Sequence, residues 1–261
     1  MRDPGPNDRL RHLLLESWRA FDQLHAQDFV VRPALPILFF GDSNRYFASA
    51  LRVVTVGLNP SKAEFPNESR LRRFPAAAGM PSDPDGRDLS RHCNALNAYF
   101  REDPYSPWFN SFEPILNGLG ASYYDNPVHA NTALHTDLCS PIATDPTWTK
   151  LLDNQRSLLK GDGLQIWHAL IEICIPDIVV ISVAERYLEQ ITFPIVSRPQ
   201  AIWELPRKQP YSVIGTVRGI NSEKRSHFVF GRAAQTPFGT ISNAMKKEMG
   251  VAIKEWYDGS R

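Results

Sequence analysis

Cysteine is scarce: Cys93, Cys139 and Cys174 are the only 3 in 261 residues. Their wide spacing fits no zinc knuckle, and three thiolates fall short of the four that usually ligate an iron–sulfur cluster. Reduced thiols, no metal and no cofactor are expected. Net charge is nearly absent as well, at +1. That excludes a strongly basic protein and confines any nucleic-acid contact to a local patch. No apolar run is long enough to cross a bilayer, and the start Met1-Arg2-Asp3-Pro4-Gly5-Pro6 lacks the apolar core of a signal peptide. A cytoplasmic protein with no membrane partner is expected. No internal repeat or low-complexity segment is present.

A hydrophobic content of 43% with 22% charged residues is ordinary for a soluble enzyme or binding protein. Without a linker between two cores, one continuous domain is expected. Residues 1–50 supply an N-terminal helix and a connection packed on a core formed by residues 51–261. The organising stretch is Val53-Val54-Thr55-Val56-Gly57-Leu58-Asn59-Pro60-Ser61. Its unbroken β-branched run predicts a central strand of a parallel sheet, covered on both faces. Gly57 permits an unusual dihedral or a close backbone approach, and Pro60 pushes Asn59 towards extended geometry. Asn59 therefore stands stiffly at a carboxyl strand end, where α/β sheets bind ligands, or else makes an Asx-turn.

Leu10, Leu13, Leu14, Trp18, Phe21 and Leu24 recur at helical spacing, with Asn7 or Asp8 as the cap. Residues 33–41 read as an irregular connection and 61–87 as a long loop, functional or mobile. Helices are predicted over 89–100, 108–119, 148–159 and 164–174, the last two separated by Gly161-Asp162-Gly163. Residues 133–141 read as a strand end entering a polar turn. Residues 176–182 read as a buried strand, followed by a short helix over 184–191. A hairpin or edge insertion covers 201–205 and 211–217. A last strand, 227–232, runs into the loop 233–239, and a final helix exposes Lys246 and Lys247. Strands alternating with helices predict an α/β fold, a single domain with a short, mainly parallel central β-sheet flanked by helices.

Three strand ends thus carry polar, proline-marked loops: 57–61, 135–141 and 231–239. Gly57-Leu58-Asn59-Pro60-Ser61 is similar to the Gly-x-Asn-Pro-Gly motif of the mismatch-specific and single-strand-selective branches of the uracil-DNA glycosylase superfamily, with Ser61 in place of the final glycine. His135-Thr136-Asp137-Leu138-Cys139-Ser140-Pro141 resembles the base-reading segment without its asparagine. Residues 231–239 stand where that family has its His-Pro-Ser loop, without the histidine. The resemblance covers about residues 50 to 245.

It implies a monofunctional DNA glycosylase that flips uracil or a related modified base out of single- or double-stranded DNA and hydrolyses its N-glycosidic bond. Asn59 would hold the attacking water, and His135 or Asp137 would read or stabilise the base. Gly57, Leu58, Pro60 and Ser61 would line the substrate site, and Phe74, preferred over Phe65, would stack on the base. Phosphates would meet Lys62, Arg70, Arg72 and Arg73. Arg232, Gln235, Thr236, Pro237 and Phe238 would enter the minor groove, Pro237 and Phe238 as an apolar wedge. A monomer is expected. Two other readings fit the same residues: a non-catalytic binder of damaged or abasic DNA, and an α/β enzyme acting on a small nucleotide.

Overall fold

A computed structural model describes residues 4–80 and 86–260. The first three residues of the N-terminal reading and residues 81–85 of the predicted long loop lie outside it. The fold is α/β. Its central six-stranded sheet has the order β4-β1-β5-β8-β7-β6, from β1 (Val53–Gly57), β4 (Leu134–Asp137), β5 (Ile178–Ile181), β6 (Gln200–Leu205), β7 (Tyr211–Gly219) and β8 (Arg225–Phe230). β1 pairs with β5 and β5 with β8 in parallel, whereas β7 pairs antiparallel with β8 and β6. Every residue of β1 and β5 is buried, as expected for strands covered on both faces. The register sets Val56 beside Ile181 and Ile181 beside Phe230. The carboxyl ends of three parallel strands therefore share one sheet edge. A separate pair, β2 (Ala121–Ser122) and β3 (Asn131–Thr132), is parallel. No described helix is long and apolar enough to cross a membrane.

The chain divides into two compact units, each made of three stretches. The first holds Met1–Asp42, Leu58–Tyr105 and Thr136–Cys174, and the second holds Ser43–Gly57, Ser106–His135 and Ile175–Arg261.

In the first unit, α1 (Pro6–Leu24) packs on α3 (Leu89–Ala98) and α6 (Asp153–Cys174) through Leu10, Leu14, Trp18 and Phe21. Gly5 is the N-cap of α1 and, as glycine, has no side chain to bond there, while Pro6 at the first helical position fixes φ and leaves no orphan N–H of its own. Asn7 and Asp8 therefore lie inside the helix. Asp88 caps α3 by accepting the N–H groups of Ser90 and Arg91. The predicted break at Gly161-Asp162-Gly163 is absent, and α6 runs through it as 22 residues. A Cβ at position 163 would collide with the carbonyl of Cys139. Glycine is there for close approach to the loop after β4, and that contact outweighs its poor helix propensity.

In the second unit, the predicted helix 108–119 is two pieces, α4 (Ser106–Phe109) and α5 (Glu113–Gly118). The short helix after β5 is a 3₁₀ segment, Glu185–Gln190. α7 (Asn243–Gly259) crosses α5 where Gly118 and Gly250 face each other; a Cβ on either would strike the other helix's backbone. Lys246 is not exposed but buried, its Nζ donating to the carbonyls of Ser111 at 3.0 Å and Pro237 at 3.1 Å. Burial lowers the pKa of that amine. α2 (Ser43–Ala48), a short helix with no counterpart in the sequence reading, leads into β1.

Candidate functional site

The loop leaving β1 is laced to the loop leaving β4, both within the first unit. Cys139 donates its backbone N–H to the carbonyl of Leu58 (2.8 Å), Thr144 to that of Pro60 (3.2 Å), and Lys62 to that of Thr144 (3.1 Å). Asn59 completes the lacing. Its Nδ2 faces three acceptors, the carbonyls of Pro60 (2.8 Å) and Ile142 (3.2 Å) and Oγ1 of Thr144 (2.9 Å). This is a bridge between loops, not an Asx-turn. With the amide nitrogen so fixed, Oδ1 accepts no hydrogen bond from any described residue. A half-buried amide held this way presents one stiff acceptor, the geometry that orients a water molecule. Gly57 is buried as the last residue of β1, without a positive φ.

Beside this loop lies an acid the sequence reading passed over. Ser61 caps a 3₁₀ turn, Lys62–Glu64, by accepting the Ala63 N–H at 3.2 Å, and the turn puts Glu64 inside the unit at 4% exposure. Tyr99 donates its phenol to Glu64 Oε2 at 2.5 Å. Burial raises the Glu64 pKa from 4.5 to about 7; Tyr99 and Arg73 pull against that rise and the nearby Asp137 adds to it. Burial, together with the charge of Glu64, likewise pushes the Tyr99 phenol up. Glu64 thus exchanges its proton near neutrality, as an acid or base in catalysis must. Asp137 is buried at the end of β4, and no helix follows it directly, so it is not a helix cap. Cys139 is no rival as a nucleophile: burial raises its thiol to about 12.

No protein-family model, curated protein or solved structure matches the chain. The site therefore rests on its own geometry.

Phe74 does not line an open pocket. It is fully buried, stacked on Phe65 with centroids 5.5 Å apart and tilted against Tyr99 at 5.4 Å. A base could stack on it only by displacing core, so Phe74 anchors the long loop instead. The basic cluster is also largely committed. Arg73 is tied to the carbonyls of Ala63 and Asp103, and Arg72 pairs with the Asp103 carboxylate at 2.5 Å. Arg70 donates to the carbonyl of Phe65, and Lys62 pairs with Asp145 at 2.8 Å. Lys62 and Arg70 nevertheless line an open depression of about 470 Å³ together with Arg32, Asp28 and Asp145.

His135, in the second unit, is buried and does not project. Its Nδ1 bonds Oγ1 of Thr55 at 2.7 Å, and its ring meets Phe109 edge-on at 5.2 Å and Phe112 at 5.6 Å. The loop after β8 reverses the expected wedge. Pro237 and Phe238 are buried, while Arg232 and Gln235 are exposed and Thr236 is half-buried. Phe238 donates its N–H to Ser182 Oγ at 3.0 Å and sets its ring against Gly231, where a Cβ would strike it, and Phe112. Its φ of 50° is a left-handed backbone that this packing imposes on a non-glycine residue. A residue fixed in this way holds the loop and cannot enter a DNA stack.

Glu64 and Tyr99 are the members that sequence reasoning missed. A signal existed, since Ser61 and Glu64 have the Ser-x-x-Glu spacing of a capping box. Its burial did not, because Tyr99 reaches it from 35 residues away.

Proposed function

We propose that the protein is a monofunctional DNA glycosylase of the uracil-DNA glycosylase kind, which hydrolyses the N-glycosidic bond of uracil or a related modified base and leaves an abasic site. The observation that carries this reading is the fixed amide of Asn59 on the loop after β1, with its nitrogen immobilised and Oδ1 left to accept from water. In the reaction, water forms a bond to the sugar C1′ as the bond from C1′ to the base nitrogen breaks, and the water's proton ends on the departing base. Positive charge develops on the sugar and negative charge on the base. Asn59 orients the water, and ionised Glu64 stabilises the positive charge, takes the proton that the water loses and returns it to the departing base. Lys62, Arg70 and Arg32 hold phosphate at the open depression, with Arg232 and Gln235 as further DNA contacts. Phe74 acts behind the site as a support, and Pro237 and Phe238 support the loop that carries Arg232 and Gln235.

The test is incubation with single- and double-stranded oligonucleotides carrying uracil and a panel of other modified bases, followed by alkaline cleavage. Strand scission at the modified position is expected, and Asn59→Ala should slow it by roughly 100-fold or more, in the range of losing one preorganised polar group. DNA affinity should change little. Absence of scission by the wild type across the whole panel, with DNA still bound, overturns the reading in favour of a damage-binding protein.

A further inference from the structure

Between β5 and β6, in the second unit, the chain folds over one face of the β8–β7 ladder and leaves a cavity of about 350 Å³. The register pairs Ile214 with Phe230 and Thr216 with Phe228, so these side chains share the face that forms its apolar floor. Leu188 and Ile191 line it as well. Arg218, next along the same face of β7, brings a guanidinium to the cavity wall. Its Nη1 donates to the carbonyls of Ile191 and Phe193, both at 2.8 Å, and its Cζ lies 5.7 Å from the centre of the Phe228 ring. No described carboxylate pairs with it, and Nε and Nη2 have no partner among the described residues. Burial alone lowers its pKa, with no acid acting on it. Glu185 and Arg232, both exposed, also line the cavity with opposite charges.

A half-buried guanidinium without a counter-ion is costly unless something supplies the charge. Here it is held in place over an aromatic floor in a cavity within the size range of small-molecule sites, about 300–1,000 Å³. We propose that this cavity binds a small aromatic organic anion, its acid group paired with Arg218 and its ring laid on Phe228, Phe230 and Ile214. The proposal is independent of the glycosylase reading and uses none of its catalytic groups.

The test uses two fluorescent probes, 8-anilinonaphthalene-1-sulfonate and its uncharged counterpart N-phenyl-1-naphthylamine. Saturable one-site binding of the sulfonate by the wild type is expected. Arg218→Met should weaken it by about tenfold or more, as loss of a charge-assisted pair does, and Arg218→Lys by less. The neutral probe should bind both variants nearly as it binds the wild type. Ile214→Trp, which fills the floor and leaves Arg218 in place, should remove binding of both probes, and Asn59→Ala should change neither. Circular dichroism checks each fold, because Arg218 also ties down two carbonyls. Should Arg218→Met unfold, Ile214→Trp decides. No saturable binding by the wild type, or folded variants at 214 or 218 that bind the sulfonate as the wild type does, overturns the proposal.

Discussion

In the loop after β1 the polar groups turn inward: Asn59 bridges to Ile142 and Thr144, and Glu64 is buried under Tyr99. In the loop after β8 the apolar groups turn inward, with Phe238 packed behind Gly231, and the polar residues Arg232 and Gln235 face water. Both loops follow a buried strand, carry a proline and open with a glycine, so they read alike as sequence. The difference shows where chemistry can reside. Buried polar groups need partners, so a loop that turns them inward must hold them in fixed positions, and fixed polar groups are what catalysis requires. A loop with exposed polar residues holds them loosely and suits electrostatic contact with a charged partner.

The comparison breaks most readily at Phe238. If that ring is a structural anchor, Phe238→Ala should cost about 3–5 kcal/mol in urea unfolding, the range for deleting a buried phenylalanine. A loss below about 1 kcal/mol would mean that the ring packs loosely enough to leave its site, and would return it to consideration as a wedge. Phe74→Ala is the partner experiment in the first unit and should cost a similar amount, because its ring is equally buried between Phe65 and Tyr99.

Such burial was only partly legible beforehand. β1 and β5 declared themselves because strands covered on both faces need an unbroken apolar run, and α1 because its apolar residues recur at helical spacing. The α/β class and the edge hairpin followed from those local patterns. What stayed hidden depends on contacts between distant residues. Glycine at 163 looked like a helix breaker because nothing local shows the Cys139 carbonyl it must admit. Lys246 looked exposed because its acceptors, Ser111 and Pro237, are supplied by other segments. Arg72 and Arg73 looked like a free basic cluster until Asp103, 30 residues on, was seen to hold them. For the site, the position of Asn59 at a strand end could be read from sequence, but its three acceptors could not.

Glu64 gives a sharper test of the inward-facing loop. Its folded pKa is raised from 4.5 to about 7, so the folded protein binds a proton that the unfolded chain releases between those values. Stability from this group is complete below pH 4.5 and is lost as pH rises through about 7, a swing of roughly 3 kcal/mol for a shift of that size. Glu64→Gln, which cannot ionise, should abolish the dependence, so the wild type should lose stability relative to the variant between pH 4.5 and 7 in parallel denaturant titrations. The same ionisation predicts that glycosylase activity rises with pH and levels off above about 7 in the wild type, a limb the variant lacks. Parallel stability curves for the two proteins would show that Glu64 is not titrating where its burial requires.

The smallest effects belong to the outward-facing residues. Arg232→Ala and Gln235→Ala should each change unfolding stability by no more than about 0.5 kcal/mol, because exposed side chains away from the core rarely do more. Their signature should lie in DNA binding. Each phosphate contact released lowers the slope of log affinity against log salt by about 0.9 on duplex DNA and about 0.7 on a single strand. Arg232→Ala should flatten that slope by about one contact, whereas Gln235→Ala, which removes no charge, should leave it unchanged. Lys62→Ala extends the contrast to the first unit. Lys62 already pairs with Asp145 at 2.8 Å, so removing it also frees a carboxylate beside any bound phosphate. Its loss should therefore weaken DNA binding more than that of Arg232 while flattening the slope no further. Equal losses of affinity for the two variants would mean that Asp145 does not act on the bound phosphate and that the two loops meet DNA in the same way.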